Sequence, residues 1–332
     1  MFLPARRLSC LVLKRFLSLT LPILFCFQAA HSQILFEGYS KILLDGVHVG
    51  YVVQRFEFDS KKKEFGTTYF LKTGANGGNI SESLKARSTE SLKPISYQYT
   101  SLTGTGPTAK SETIDATFKG DTMTAILKKG TKPETIQKKI PKDAFLASFL
   151  GYMMLQGKEG IKKGVNYIYK GIAEEDGNVY TGKAFISGEE AMNGVSAFKV
   201  LNNFKNADFG SWVTAKGEVL MTRSPVQKIA TELVGSVQEA TAGQSVNTNA
   251  LTLLFGSFPK GEENVLARRE SAGGASSKTA GKDSTGSKLP AKEMTKKEGA
   301  PQGQGVMVKA GPTSTVPLAA PTAAPTAQPT GD

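Results

Sequence analysis

From Gln33 to about Leu102, apolar and polar residues alternate with a period of two, broken by short clusters of Gly, Asp, Asn and Ser. That rhythm belongs to half-buried strands joined by tight turns. Residues 40–44 and 47–58 flank Asp45-Gly46, a dipeptide favoured in two-residue hairpin turns. In the second of these strands Val47, Val49, Tyr51 and Val53 share one face, and then Phe56 and Phe58 take the other. A switch of parity within one strand predicts a bulge or a strong bend. Strands are expected again at 65–72, 82–88 and 95–102. The alternation is cleanest at Ile114, Ala116 and Phe118; Gly120-Asp121 then turns the chain, and Met123, Ala125 and Leu127 continue the apolar face.

One stretch departs from this rhythm. Between Lys138 and Gly164, Phe145, Phe149 and Met153 recur every fourth residue, with Leu146, Leu150 and Met154 beside them. The spacing predicts a helix over 143–156, with Asp143 capping its start and Gly157 ending it. Strands resume at 165–172, 179–186, 195–201, 211–215 and 218–223, and 227–237 reads as a final strand. The acidic loop Glu174-Glu175-Asp176-Gly177 between two of them is expected as an exposed turn. The predicted fold is mainly β (α+β). It is one curved antiparallel sheet or half-barrel over 33–240, with a main helix on its concave face.

Order is expected to fade after that. Residues 241–267, with an apolar run from Leu251 to Phe258, read as an edge segment. Residues 268–332 read as a disordered tail, rich in Lys, Ser and Gly and then in Ala, Pro and Thr. No aromatic residue follows Phe258, so this part cannot bury enough apolar surface to offset its ordering entropy.

The start of the chain has the layout of a secretion signal. Arg6, Arg7, Lys14 and Arg15 precede an apolar run from Phe16 to Phe27, and Ala30 and Ser32 stand at the −3 and −1 positions of a cut before Gln33. The run is shorter than the roughly 20 residues that span a bilayer, and Pro22 interrupts it. Residues 1–32 are therefore expected to be removed, leaving an exported chain without a membrane span, periplasmic if its source is a Gram-negative bacterium.

Cleavage changes the chemistry available. Cys10, Cys26 and His31 leave with the signal, so no cysteine and only His48 remain. Thiol nucleophiles, thiolate metal sites and His-rich metal sites are excluded, and no cofactor or metal is expected. The net charge of +12 for the whole chain falls by the four basic residues of the signal. Gly104-Thr105-Gly106-Pro107 lacks the helix that a phosphate loop needs. No aromatic-basic motif points to nucleic acid. The chain is accordingly expected not to be an enzyme.

Two features remain as candidate sites. Phe145, Phe149, Tyr152, Met153 and Met154 form a soft apolar surface able to accept an acyl chain, and otherwise read as core. Lys138, Lys139, Lys142, Lys162 and Lys163 flank the predicted helix and form a candidate cationic rim for anionic groups, or a lysine-protected sheet edge.

With these residues in view, the chain resembles a broad group of secreted bacterial proteins of unknown function with lipoprotein-carrier relatives. The resemblance covers about 36–239. It lies in Gly50-Tyr51, in Gly160-Ile161-Lys162-Lys163-Gly164-Val165, and in the late run from Asn193 through Val200 to Ser211-Trp212-Val213 and Lys216-Gly217-Glu218-Val219. It implies a curved antiparallel half-barrel capped by helix. The expected function is that of an exported, non-enzymatic binding or envelope-maintenance protein, with a lipid or cell-envelope component as partner. The alternative is a structural module that engages a partner or the cell wall through a sheet edge or the C-terminal tail. Oligomeric state is not legible.

Overall fold

A computed structural model of the chain describes residues 32–130 and 132–276. The signal expected over 1–32 therefore lies outside the described residues but for its last position, as does residue 277 onward of the expected tail. The first eight strands form a continuous meander: β1 (Gln33–Leu44), β2 (Val47–Asp59), β3 (Glu64–Thr73), β4 (Ile80–Thr89), β5 (Pro94–Thr103), β6 (Lys110–Lys119), β7 (Thr122–Lys129) and β8 (Lys132–Lys139). A short strand β9 (Ala144–Leu146) leads through a 3-10 turn at Ala147–Phe149 into the helix α1 (Leu150–Gln156). A second meander follows, with β10 (Asn166–Ala173), β11 (Asn178–Met192), β12 (Val195–Phe204), β13 (Ala207–Val213), β14 (Val219–Ser224) and β15 (Ile229–Val234). Three helices end the described chain: α2 (Val237–Thr241), α3 (Thr248–Phe255) and α4 (Val265–Ser276).

All 15 strands belong to one curved open sheet, in the order β8-β7-β6-β5-β4-β3-β2-β1-β15-β14-β13-β12-β11-β10-β9. Every pairing is antiparallel except the short parallel one between β9 and β10. The sheet's two edges, β8 and β9, are consecutive in the chain. The β8 edge is held to the far end of the sheet by a side chain rather than a ladder: Lys138 Nζ donates to Asn178 Oδ1, at the start of β11, at 2.8 Å. The concave face holds the main core. A row of partners, Gln54, Tyr69, Leu84, Tyr99, Ile114 and Leu127, crosses it from β2 to β7.

The expected hairpins form. Asp45 and Gly46 both take positive φ, 50° and 82°, as the turn between two right-twisted strands requires. β2 does contain a bulge, but at Val49 and not between Val53 and Phe56 where the switch of face was predicted. Ile42 pairs with Gly50 and Leu43 with His48, so Val49 is the extra residue, and its carbonyl accepts from Gly74 N at 2.9 Å. Val49 and Val52 face the main core, whereas Tyr51 and Val53 face the convex side.

Four expectations are corrected. The helix predicted over 143–156 occupies only Leu150–Gln156; Ala144, Phe145 and Leu146 instead pair with Lys170, Gly171 and Ile172 of β10. All three side chains are buried, so an apolar run read as a helix face is a strand buried on both sides. Asp143 does not cap a helix, and its carboxylate pairs with Lys170 at 3.0 Å.

Residues 241–267 do not sit at a sheet edge. They cross the convex face of the central strands, where Ala240, Leu251 and Phe255 cover Tyr39, Tyr51, Val53 and Phe70. Order also does not end at 268, because α4 runs through it. Asn264, fully buried, caps α4 by accepting from Leu266 N and Ala267 N at 3.0 Å each, and Val265 and Leu266 pack beside Trp212, Met221 and Leu233.

Candidate functional site

The inner face of the sheet is not evenly filled. Where β1, β13 and β15 cross it, the inward positions are small: Gly38, Ser40, Ser211 and Thr231. Opposite them the turn before α1 and the helix itself, through Ala147, Leu150, Gly151, Tyr152 and Met154, cannot reach the floor. A cavity of about 150 Å³ remains between helix and sheet. A void of this size accommodates a benzene-sized ligand when its walls are apolar.

Its walls are of two kinds. Val52, Phe56, Leu84, Val200 and Phe209 make an apolar side. The other side is polar and is set by the β10–β11 turn, whose Glu174 and Glu175 reach the cavity together with Tyr69, Tyr99, Asn202 and Ser148. Glu174 is buried and its Oε1 accepts from Ser148 N at 3.0 Å. Burial pushes its carboxyl up to about 7; the Ser148 hydrogen bonds oppose the rise, and the Glu175 charge adds to it. Glu82 is buried beside Tyr69, Leu84 and Tyr99 of the same inner face, and burial pushes it up to about 8, with the neighbouring Tyr99 hydroxyl opposing the rise and the Glu175 charge adding to it.

The one buried lysine nearby is already committed. Lys205, in the β12–β13 turn, donates to Glu175 Oε1 and to Asp176 Oδ2 at 2.7 Å each, while Tyr180 donates to the same Asp176 oxygen at 2.9 Å. The Lys205 amine is held above its usual value by those two carboxylates, against the opposing effect of its own burial. The Tyr69 hydroxyl and Asn202 Nδ2 in the cavity wall, and Glu82 Oε2 behind it, have no hydrogen-bond partner among the described residues. Tyr169 donates to the other end of the Asn202 amide at 2.9 Å. Buried polar atoms are paired in the great majority of cases, so a group of orphans on one cavity marks a place built for a further partner.

Of the residues singled out in the sequence, Tyr152 and Met154 line the cavity. Phe145, Phe149 and Met153 are not in its wall. Phe145 stacks near Tyr169, Phe149 lies between Phe56 and Phe65, and Met153 packs against the core from a half-buried position. The lysines are dispersed. Lys138 bonds Asn178, Lys139 pairs with Asp121 at 2.9 Å, and Lys142, Lys162 and Lys163 are exposed; none of the five lines the cavity. The basic side chains beside the cavity are Lys216 and Arg268, in an adjoining depression that shares Phe36, Gln54, Phe56 and Tyr152 with it; Arg268 is paired with Glu218. The residues that sequence reasoning missed are Glu174 and Glu175. A run of acids next to a glycine reads as a solvated turn, and only the curl of the sheet carries that turn inward. The parity of β4, which places Glu82 with Leu84 and Ala86, was the available signal for a buried carboxyl.

Among the described residues no helix is long and apolar enough to cross a membrane, and no three His, Cys, Asp or Glu side chains are grouped to hold a metal ion. No family model matches the chain. No curated protein matches it either. Among solved structures it is similar to a beta-barrel-like protein of a domain of unknown function, DUF1849, from Brucella abortus. The two share 9% sequence identity and a TM-score of 0.42, over 61% of this chain and 98% of that one.

Proposed function

We propose that this is an exported, non-enzymatic binding protein of the cell envelope that holds an apolar or acyl-chain ligand between the sheet and α1. The observation that carries the reading is the cavity of about 150 Å³ with apolar walls on one side and orphaned polar atoms on the other. Its size suits a short apolar group or the tip of a longer chain. A non-enzymatic role is supported by the composition, since His48 bonds the Gly50 carbonyl in β2 and lies outside the cavity wall. Export rests on the N-terminal signal layout.

Native mass spectrometry of the mature protein, purified from the envelope of its source, tests the proposal. An adduct that co-purifies, together with a saturable rise in melting temperature on adding hexan-1-ol, is the expected result. Absence of both would overturn it.

A further inference from the structure

The cavity reading leaves open what kind of head group its polar side receives, and the charges there answer that. Glu174 and Glu175 line one side of the cavity, Glu82 is buried beside Tyr69 and Tyr99 of that wall, and the buried cation nearby, Lys205, is divided between Glu175 and Asp176. Glu174 in the cavity wall and Glu82 behind it therefore have no cation paired to them among the described residues. A buried carboxylate without a counter-charge is costly, so it takes up a proton or waits for a cation. The orphaned atoms point the same way. Tyr69 is 7% exposed and Glu82 is 3% exposed, and the Tyr69 hydroxyl and Glu82 Oε2 both lack partners among the described residues.

We propose that the ligand is a small amphipathic amine, with an ammonium group held by Glu174 and the Tyr69 hydroxyl and an alkyl body against Val52, Leu84 and Phe209. This rests on the cavity being the binding site. An ammonium group carries three donors and no acceptor. The Glu174 carboxylate and the Tyr69 and Ser148 hydroxyls, all in the cavity wall, offer the matching acceptors. Tyr69 and Tyr99 add ring faces to the wall, which also attract a cation. The exception is Asn202, 3% exposed, whose Nδ2 has no partner. A half-turn of that amide aims its oxygen inward instead, because the Tyr169 hydroxyl accepts as well as donates. An anionic head would meet the uncompensated Glu174 carboxyl with Glu82 behind it, and a neutral hydroxyl would leave that charge unanswered.

The test is calorimetry at pH 8 on the mature chain with three probes that share one body: n-hexylamine, hexan-1-ol and hexanoate. The amine is expected to bind at least about tenfold more tightly than the alcohol, the scale of hydrogen bonds to charged groups, and hexanoate most weakly. Glu174→Gln and Tyr69→Phe are each expected to weaken the amine about tenfold and leave the alcohol unchanged. The wild-type ranking decides the matter even where a variant folds poorly. If the alcohol or hexanoate outranks the amine, or both variants keep full amine affinity, the head-group assignment falls and the cavity reading stands. If no probe binds, both fall.

Discussion

At the scale of single residues, the buried pair Arg55–Glu37 shows how tightly the convex face is specified. Arg55 Nε donates to Glu37 Oε2 at 2.6 Å and its Nη1 to the Phe255 carbonyl at 2.8 Å, while Glu37 Oε1 accepts from the backbone N–H groups of Lys260 and Gly261. Removing one partner of such a pair strands the other, so Arg55→Met is expected to cost about 3–5 kcal/mol in urea unfolding. Gly182 is equally constrained, because a Cβ there would stand 2.2 Å from the Tyr169 ring. Gly182→Ala therefore has to displace Tyr169 from Asn202 and is expected to cost about 1–3 kcal/mol by the same measurement.

The raised carboxyls give a pH signature at the same scale. Around Glu82 stand Tyr69, Tyr99 and Glu175; around Glu174 stand Ser148, Glu175 and Tyr97, with Lys205 and Asp176 beyond. From the ordinary value of 4.5, Glu82 rises to about 8 and Glu174 to about 7 in the folded chain. Below 4.5 both states carry the protons and the contribution to stability is full. As pH rises toward 7–8 the unfolded chain releases protons that the folded chain keeps, so stability falls, by up to about 1.4 kcal/mol per pH unit per group. Urea midpoints at pH 5, 6.5 and 8 are expected to decline less in Glu82→Gln and Glu174→Gln than in the wild type; parallel declines would contradict the assignment.

At the scale of elements, what was legible depended on whether one face of a strand meets water. The hairpin at Asp45-Gly46 and the β6–β7 pair could be read because polar and apolar positions alternate there. The parity switch in β2 was visible as a pattern, although the pairing puts its cause at Val49 rather than near Phe56. Where both faces are covered the signal failed. Ala144–Leu146 lies inside the curled sheet, so three consecutive apolar residues carry no period with which to tell strand from helix. The cover on Tyr51 and Val53 was not legible either, because α2 and α3 are short and reach β1–β3 from about 200 residues away along the chain, as the Arg55–Phe255 bond illustrates. The cavity followed from a deficit of volume on β1, β13 and β15, and that deficit becomes visible only once strand order is known. Since Phe255 closes this convex core, Phe255→Ala is expected to cost about 3–5 kcal/mol while leaving affinity for a cavity ligand unchanged.

At the scale of the whole molecule, the two meanders leave from the central pair β1–β2 and β1–β15 and curl until β8 and β9 approach. β8 keeps an exposed edge, and its Lys132, Pro133, Lys138 and Lys139 discourage pairing with another chain. The closure by packing sets the interior volume, and α1 with its preceding turn fills most of it. What is left is the cavity, so the central claim is that this remainder is a binding site rather than a packing defect. Ser40 lines it and has room for a larger side chain on the inner face of β1. The most direct measurement is a melting-temperature titration of the wild type and Ser40→Leu with hexan-1-ol. The account predicts a saturable rise for the wild type and none for Ser40→Leu, whose unliganded melting temperature is equal or higher. An equal rise in both proteins, or none in the wild type, would contradict it.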